Sequence, residues 1–144
     1  MTPFVPSACV CNNLKAAARA SGRAYDAALA PHGINVTQYA ILSNADRYGP
    51  VPQMRLAEHL EMERTTLYRA LAILEKRELL KLTSTSPGPT KSVSLTPAGK
   101  ALLEAARADW EPLQERFVQA FGADGLQQLS ELMARIRDHF HEGA

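Results

Sequence analysis

One segment of this chain, residues 63–80 (ERTTLYRALAILEKRELL), leaves few folds open to the rest. Its apolar residues recur at the 3.6-residue period of a helix and form one narrow stripe, made of Leu67, Ala70, Leu71 and Leu74. The first two turns are rich in side chains that donate to phosphates and base edges, with no acid between them: Arg64, Thr65, Thr66, Tyr68 and Arg69. The pattern predicts a helix with a buried back and a front suited to nucleic acid.

The flanking segments place this helix in a larger motif. Residues 55–62 form a second short amphipathic helix, joined to the first by a turn of about three residues, which is the geometry of a helix-turn-helix. Residues 80–95 nearly alternate, are rich in hydroxyl and β-branched side chains, and are interrupted by Pro-Gly-Pro, so they predict a two-stranded hairpin. Together these segments predict a mainly α fold, a winged helix-turn-helix with a small β-hairpin wing.

This order of elements, followed by SLTPAGKALLEAA (residues 94–106), resembles the MarR family of dimeric bacterial transcriptional regulators. The resemblance extends from about residue 11 to about residue 121 and implies a homodimer that binds a pseudo-palindromic double-stranded DNA operator. We expect it to act as a repressor, with an activator as the less frequent alternative. Family members usually carry Asp-x-Arg at the wing tip, where this chain has Pro87 and Pro89. We therefore expect Lys91 or Lys81 to take the place of the missing minor-groove arginine.

Charge adds modest support for DNA binding. The whole chain has a net charge of only +1, but residues 51–91 contain seven Lys or Arg against five acids. The side chains that we expect to contact DNA lie in this part of the chain: Arg55, Arg64, Thr65, Thr66, Tyr68, Arg69, Lys76, Lys81 and Lys91.

Helical segments flank the DNA-reading unit. We expect a first helix from about residues 7–12 to residue 30, a second from Asn35 or Thr37 to residue 47, and a rigid connector at residues 49–52. After the wing, Thr96 should cap a helix that bends at Pro112 and runs to residue 121, and a last helix should cover residues 123–141. We interpret the chain as one domain, in which residues 1–48 and 97–144 form a helical dimerisation region and residues 49–96 the winged helix. The alternative use of the terminal helices is an intramolecular bundle.

Two cysteines form a Cys-x-Cys pair near the start of the first helix. Cys9 and Cys11 point about 200° apart on a helix, so only one of them can face inward, and Cys11 lies on the apolar stripe, where the helix dipole favours a reactive thiolate. Cys11 and Tyr25 are also spaced as in the organic-hydroperoxide-sensing branch of the MarR family, although Val36 stands where that branch has a second tyrosine. The alternative is that both thiols are small buried hydrophobic residues.

Inward-facing stripes contain three aromatic residues: Tyr25, Tyr39 and Trp110. We interpret them first as residues of the hydrophobic core. The family resemblance also implies an effector pocket between the helices where these rings would meet. A small aromatic ligand and an oxidant are therefore both candidate effectors.

No enzyme motif is present: the chain has no glycine-rich phosphate loop, no H-E-x-x-H and no nucleophile elbow. We expect no catalytic residue, cofactor or metal, and no signal peptide or membrane span, which indicates a cytoplasmic protein. A thiol-based redox enzyme and a helical interaction module without specific DNA binding remain as alternatives from other functional classes.

Overall fold

A computed structural model describes residues 9–84 and 90–141 of the chain. The elements, in chain order, are α1 (Val10–Leu29), a 3-10 turn (Ala30–His32), α2 (Val36–Tyr48), β1 (Val51–Pro52), α3 (Gln53–Leu60), α4 (Arg64–Lys76), β2 (Leu80–Ser84), β3 (Lys91–Leu95) and α5 (Pro97–Phe140). The predicted fold class, a mainly α winged helix-turn-helix, is confirmed. Within the described residues, no helix is long and apolar enough to cross a bilayer.

The wing is part of a three-stranded antiparallel sheet with the strand order β1-β3-β2. β2 and β3 pair from Leu80 with Leu95 to Ser84 with Lys91, and Val51 of β1 pairs with Val93. The prediction that residues 49–52 are only a connector is wrong at Val51 and Pro52, because these two residues bond to the wing as an edge strand. The predicted hairpin is confirmed, and its tip at Pro87 and Pro89 lies outside the described residues.

Local capping explains where two of the helices begin. Asn35 and Gln38 form a reciprocal capping box at the start of α2, in which each side chain accepts from the other residue's backbone amide at 2.9 and 3.0 Å. Thr96 Oγ1 accepts from the Gly99 amide at 3.0 Å at the start of α5, as the sequence predicted. Pro112 lies inside α5, as predicted, and the non-helical backbone within α5 is at Gly122, where the sequence predicted the break between the helices that end at residue 121 and begin at residue 123.

Contacts divide the chain into two units with the boundary between Trp110 and Glu111. The first unit contains the hydrophobic core, whose fully buried large side chains come from α1 to α5: Leu29, Ile41, Leu42, Leu56, Leu67, Leu71, Leu74, Leu80, Val93 and Leu103. The second unit is helical and leaves many large apolar side chains exposed, among them Phe121, Leu129, Leu132, Met133 and Phe140.

Candidate nucleic-acid interface

Helix α4 presents the two faces that the sequence predicted. Leu67, Leu71 and Leu74 are completely buried on one side. On the other side, the four exposed side chains of the first two turns are Arg64, Thr65, Thr66 and Arg69. Tyr68 differs from them, because it is half-buried and packs against the core. Its phenol is therefore only partly available to a partner.

The turn before α4 is short and specifically shaped. α3 ends at Leu60 and α4 begins at Arg64, so three residues join them. Glu61 adopts a left-handed conformation with φ 51°, and the next amide, that of Met62, donates to the Ala57 carbonyl at 3.0 Å. This arrangement closes the end of α3 and starts α4 in a new direction. It is the helix-turn-helix connection.

The C-terminal end of α4 is held by three hydrogen bonds that the sequence analysis missed. Glu75 Oε2 accepts from the Leu82 amide at 2.9 Å, and Arg77 Nη1 donates to the Gly33 carbonyl at 2.8 Å. Thr96 Oγ1 donates to the Glu78 carbonyl at 2.6 Å. The bonded residues are 7, 44 and 18 positions apart in the sequence, so neither a helical nor a strand period predicts these bonds. These bonds join the helix to β2, to the turn after α1 and to the residue that caps α5.

The two wing lysines lie on opposite faces of the hairpin. Lys81 pairs with Ser94 near the base of the wing, and Lys91 pairs with Ser84 next to its tip. Because side chains alternate along a strand, the even-numbered residues of β2 and the odd-numbered residues of β3 share one face, so Lys91 and Lys81 point in opposite directions. Both are exposed. Lys91 is the lysine at the tip end of the strand pair, and Lys81 is the one near its base.

The remaining basic candidates are also at the surface. Lys76 is exposed in the last turn of α4, and Arg55 is exposed on α3, 3.5 Å from Glu58 at closest approach. An ion pair this open to solvent contributes little, so it does not compete strongly with a phosphate for the guanidinium. On the neighbouring surface, the rings of Tyr48 and His59 stack in parallel with centroids 4.8 Å apart, and this contact joins the ends of α2 and α3.

The three predicted sensing aromatics meet in the first unit. Trp110 stacks on Tyr39 with ring centroids 5.4 Å apart and lies 6.3 Å from the ring of Tyr25. Tyr39 is buried, whereas Tyr25 and Trp110 are half-buried. Partial burial raises the pKa of the Tyr25 phenol above its ordinary value. The cluster offers flat apolar faces with a phenol beside them.

Both cysteines are exposed thiols at the start of α1. Cys9 occupies the N-cap position, and Cys11 lies in the first turn. Their exposure contradicts the alternative that both are buried core residues of a single chain. Cys11 has exposed apolar neighbours, Val10 and Leu14, so this end of α1 carries apolar side chains that the single chain does not cover.

Comparisons with known proteins agree on one family. A sequence model of the MarR family matches residues 34–84. An HTH-type transcriptional regulator of Bacillus cereus is 32% identical over 111 residues, which cover 74% of this chain and 71% of that protein. The HTH-type regulator YxaD of Bacillus subtilis is 28% identical over 105 residues, covering 72% of this chain and 73% of that protein.

Solved structures extend the likeness to the whole fold. The transcriptional regulator MosR of M. tuberculosis superimposes with a TM-score of 0.80 at 26% identity, covering 92% of this chain and 98% of MosR. A second MosR structure, in complex with DNA, has the same TM-score at 28% identity and the same coverage. These relatives are regulators, which confirms the prediction that the protein is not an enzyme. The chain belongs to the MarR family of helix-turn-helix transcriptional regulators.

Proposed function

We propose that the protein is a homodimeric repressor that binds a pseudo-palindromic DNA operator through α4 and the wing. The observation that carries this proposal is the exposed face of α4, where Arg64, Thr65, Thr66 and Arg69 stand opposite a fully buried leucine stripe with no acid among them. Side chains of these types contact phosphates and base edges in the major groove. The 28%-identical MosR, whose structure contains DNA, supports the same use of the fold.

The terminal helices support the dimer in this proposal. In this proposal, residues 1–48 and 97–144 form the dimerisation region, and residues 49–96 form the winged-helix unit. Exposed apolar side chains on α1 and in the second unit support it, because uncovered apolar patches mark interaction surfaces. A two-fold axis would place two copies of α4 about one DNA turn apart, which matches a palindromic site.

Selection from a pool of randomised DNA duplexes tests the DNA-binding function. We expect enrichment of a sequence with two related half-sites, bound at least about a thousandfold more tightly than a scrambled duplex of the same length. A helical interaction module predicts no enrichment. Recovery of random sequences after repeated rounds would overturn the proposal.

Two effectors have specific support, and one titration separates them. In the oxidant model, the Cys11 thiolate attacks a hydroperoxide, which leaves a sulfenic acid on the sulfur and releases the alcohol. The polar group formed among Val10 and Leu14 would disfavour packing of this helix end, and DNA would be released. In the ligand model, an aromatic molecule binds at the cluster of Tyr25, Tyr39 and Trp110 and no thiol is needed.

The reduced protein–DNA complex is titrated with an organic hydroperoxide and, separately, with hypochlorite. Release of DNA from the wild type but not from Cys11→Ser supports the oxidant model. Cys9→Ser is the matched control, and it should change the oxidant response less than Cys11→Ser does. Persistence of the wild-type complex at stoichiometric excess of both oxidants rules it out. The ligand model is then tested with aromatic acids, and Trp110→Leu should abolish their effect.

A further inference from the structure

The C-terminal end of the recognition helix α4 is bonded to the turn that follows α1. Arg77, directly after α4, donates from Nη1 to the carbonyl of Gly33 at 2.8 Å. Its Nη2 lies 3.3 Å from the position that a Cβ on Gly33 would take, so the guanidinium lies directly against the glycine. Gly33 adopts a left-handed φ of 69° and closes the 3-10 turn, with its amide donating to Ala30.

His32, which precedes Gly33 and is the last residue of the 3-10 turn, is bonded to α5. His32 Nε2 and Asp109 Oδ2 are 2.5 Å apart, and the His32 side chain is only 18% exposed. Asp109 adjoins Trp110, whose indole stacks on Tyr39. A short series of contacts therefore runs from the aromatic cluster to the end of α4. It begins at Trp110 and its neighbour Asp109, continues through His32 and Gly33, and ends at Arg77.

We propose that Arg77 is a positioning residue for DNA recognition, which sets the direction of α4 by holding its C-terminal end to the turn that His32 and Asp109 anchor. The reason is leverage. α4 has 13 residues and is therefore about 20 Å long, so it moves as a rigid rod about its buried leucines. A tilt of α4 about the middle of the buried leucine stripe that moves Arg77 by about 1 Å displaces Thr65, which lies about as far on the other side, by a comparable distance, and this is enough to break a hydrogen bond to a base edge.

The positioning role of Arg77 rests on the proposed function. It predicts a different effect on DNA binding than a direct contact between Arg77 and a phosphate would. A basic side chain that touches phosphates contributes equally to all DNA sequences and adds about 0.9 to the slope of log affinity against log salt. A positioning residue affects only the contacts that read bases. Arg77→Lys separates the two roles, because lysine keeps the charge but does not reproduce the planar guanidinium geometry.

The experiment measures binding of fluorescein-labelled 30-base-pair duplexes by anisotropy between 50 and 200 mM KCl. One duplex carries the sequence enriched by selection and the other is its scrambled version. We expect Arg77→Lys to weaken the first complex about five- to twentyfold, while affinity for the scrambled duplex and the salt slope stay unchanged. Asp109→Asn should give the same signature, and the double variant should lose less than the product of the two single losses.

Arg23→Lys, an equal change at an exposed position of α1, is the matched control. Thermal unfolding of every variant shows that each is folded at the assay temperature. Equal losses on both duplexes, a flatter salt slope, or a lower melting temperature without any change in the ratio of the two affinities would each overturn the positioning role. If the wild type itself does not distinguish the two duplexes, the proposed function fails together with this inference.

Discussion

Two glutamates occupy backbone conformations that side chains other than glycine rarely adopt. Glu61 ends α3 with φ 51°, and Glu78 follows α4 with φ 60°. Each conformation costs about 1–2 kcal/mol for a residue with a Cβ. Glu78 follows the C-cap of α4, a place where helices often have a glycine because the backbone there is left-handed.

We predict that Glu78→Gly stabilises the fold. Relief of the left-handed strain should exceed the extra chain entropy of glycine in the unfolded state, so the free energy of unfolding should rise by about 0.5–1 kcal/mol. Urea denaturation followed by circular dichroism measures it. Glu58→Gly, at an exposed helical position of α3, is the control and should lose about 1 kcal/mol. A loss at both positions contradicts the strain argument.

Arg69 and Lys91 should contribute to DNA binding in different ways. Arg69 is exposed on the face of α4 opposite Leu71, so Arg69→Ala should cost about 1–3 kcal/mol of operator binding and relax sequence preference. Lys91→Ala should weaken binding to all sequences about equally and flatten the salt dependence. Gel shifts with selected and scrambled duplexes at fixed and varied salt distinguish the two effects. Unchanged operator affinity in Arg69→Ala would mean that this face of α4 is not the reading face.

At the scale of single elements, the sequence predicted buried stripes and capped starts, but it missed the end of α4 and the strand β1. The leucine period of α4 and the caps Asn35 and Thr96 are local signals, and the structure has them as expected. Helix α4 ends at Lys76, shortly before the left-handed backbone of Glu78. The sequence predicted an end at residue 80 because Leu79 and Leu80 continue the apolar pattern of the helix. β1 was missed because it has only two residues, one of which is Pro52, and so gives no strand period.

The contact between α4 and β2 depends on one carboxylate. Glu75 Oε2 accepts from the Leu82 amide at 2.9 Å. Glu75→Ala should leave that amide without its acceptor and cost about 0.5–1.5 kcal/mol, whereas Glu75→Gln keeps an acceptor oxygen and should cost less. Hydrogen exchange at the Leu82 amide is the direct measurement, and it should be faster in the alanine variant than in the glutamine variant. Equal exchange rates would show that the carboxylate does not hold the strand.

For the whole molecule, the unpartnered apolar surface predicts assembly. Phe121 is 50% exposed and Phe140 is 71% exposed in the single chain. We predict a dimer at micromolar concentration in sedimentation experiments. Truncation after Phe121 should abolish both dimerisation and tight operator binding, because it removes most of the exposed apolar residues of the second unit. A monomeric full-length protein that still holds a two-half-site operator tightly contradicts this prediction.

The candidate site was predictable in part. The amphipathic period of α4 identified its exposed side chains, and the family resemblance implied that Tyr25, Tyr39 and Trp110 would meet. The bonds of Arg77 to Gly33 and of His32 to Asp109 span 44 and 77 residues. Contacts that distant leave no periodic trace in one sequence. How α4 is held was therefore accessible only from the structure.

Gly99, at the start of α5, occupies a position where no other amino acid fits. A Cβ at this position would lie 1.8 Å from the Leu79 carbonyl oxygen, so two backbones touch there with no room for any side chain. Neither rotamer changes nor a compensating mutation in another side chain can relieve an overlap with main-chain atoms. In a library of all single substitutions, position 99 should tolerate none, while the exposed neighbour Ala98 should accept many. We therefore expect proteins that descend from this one to keep a glycine at position 99 while other positions change.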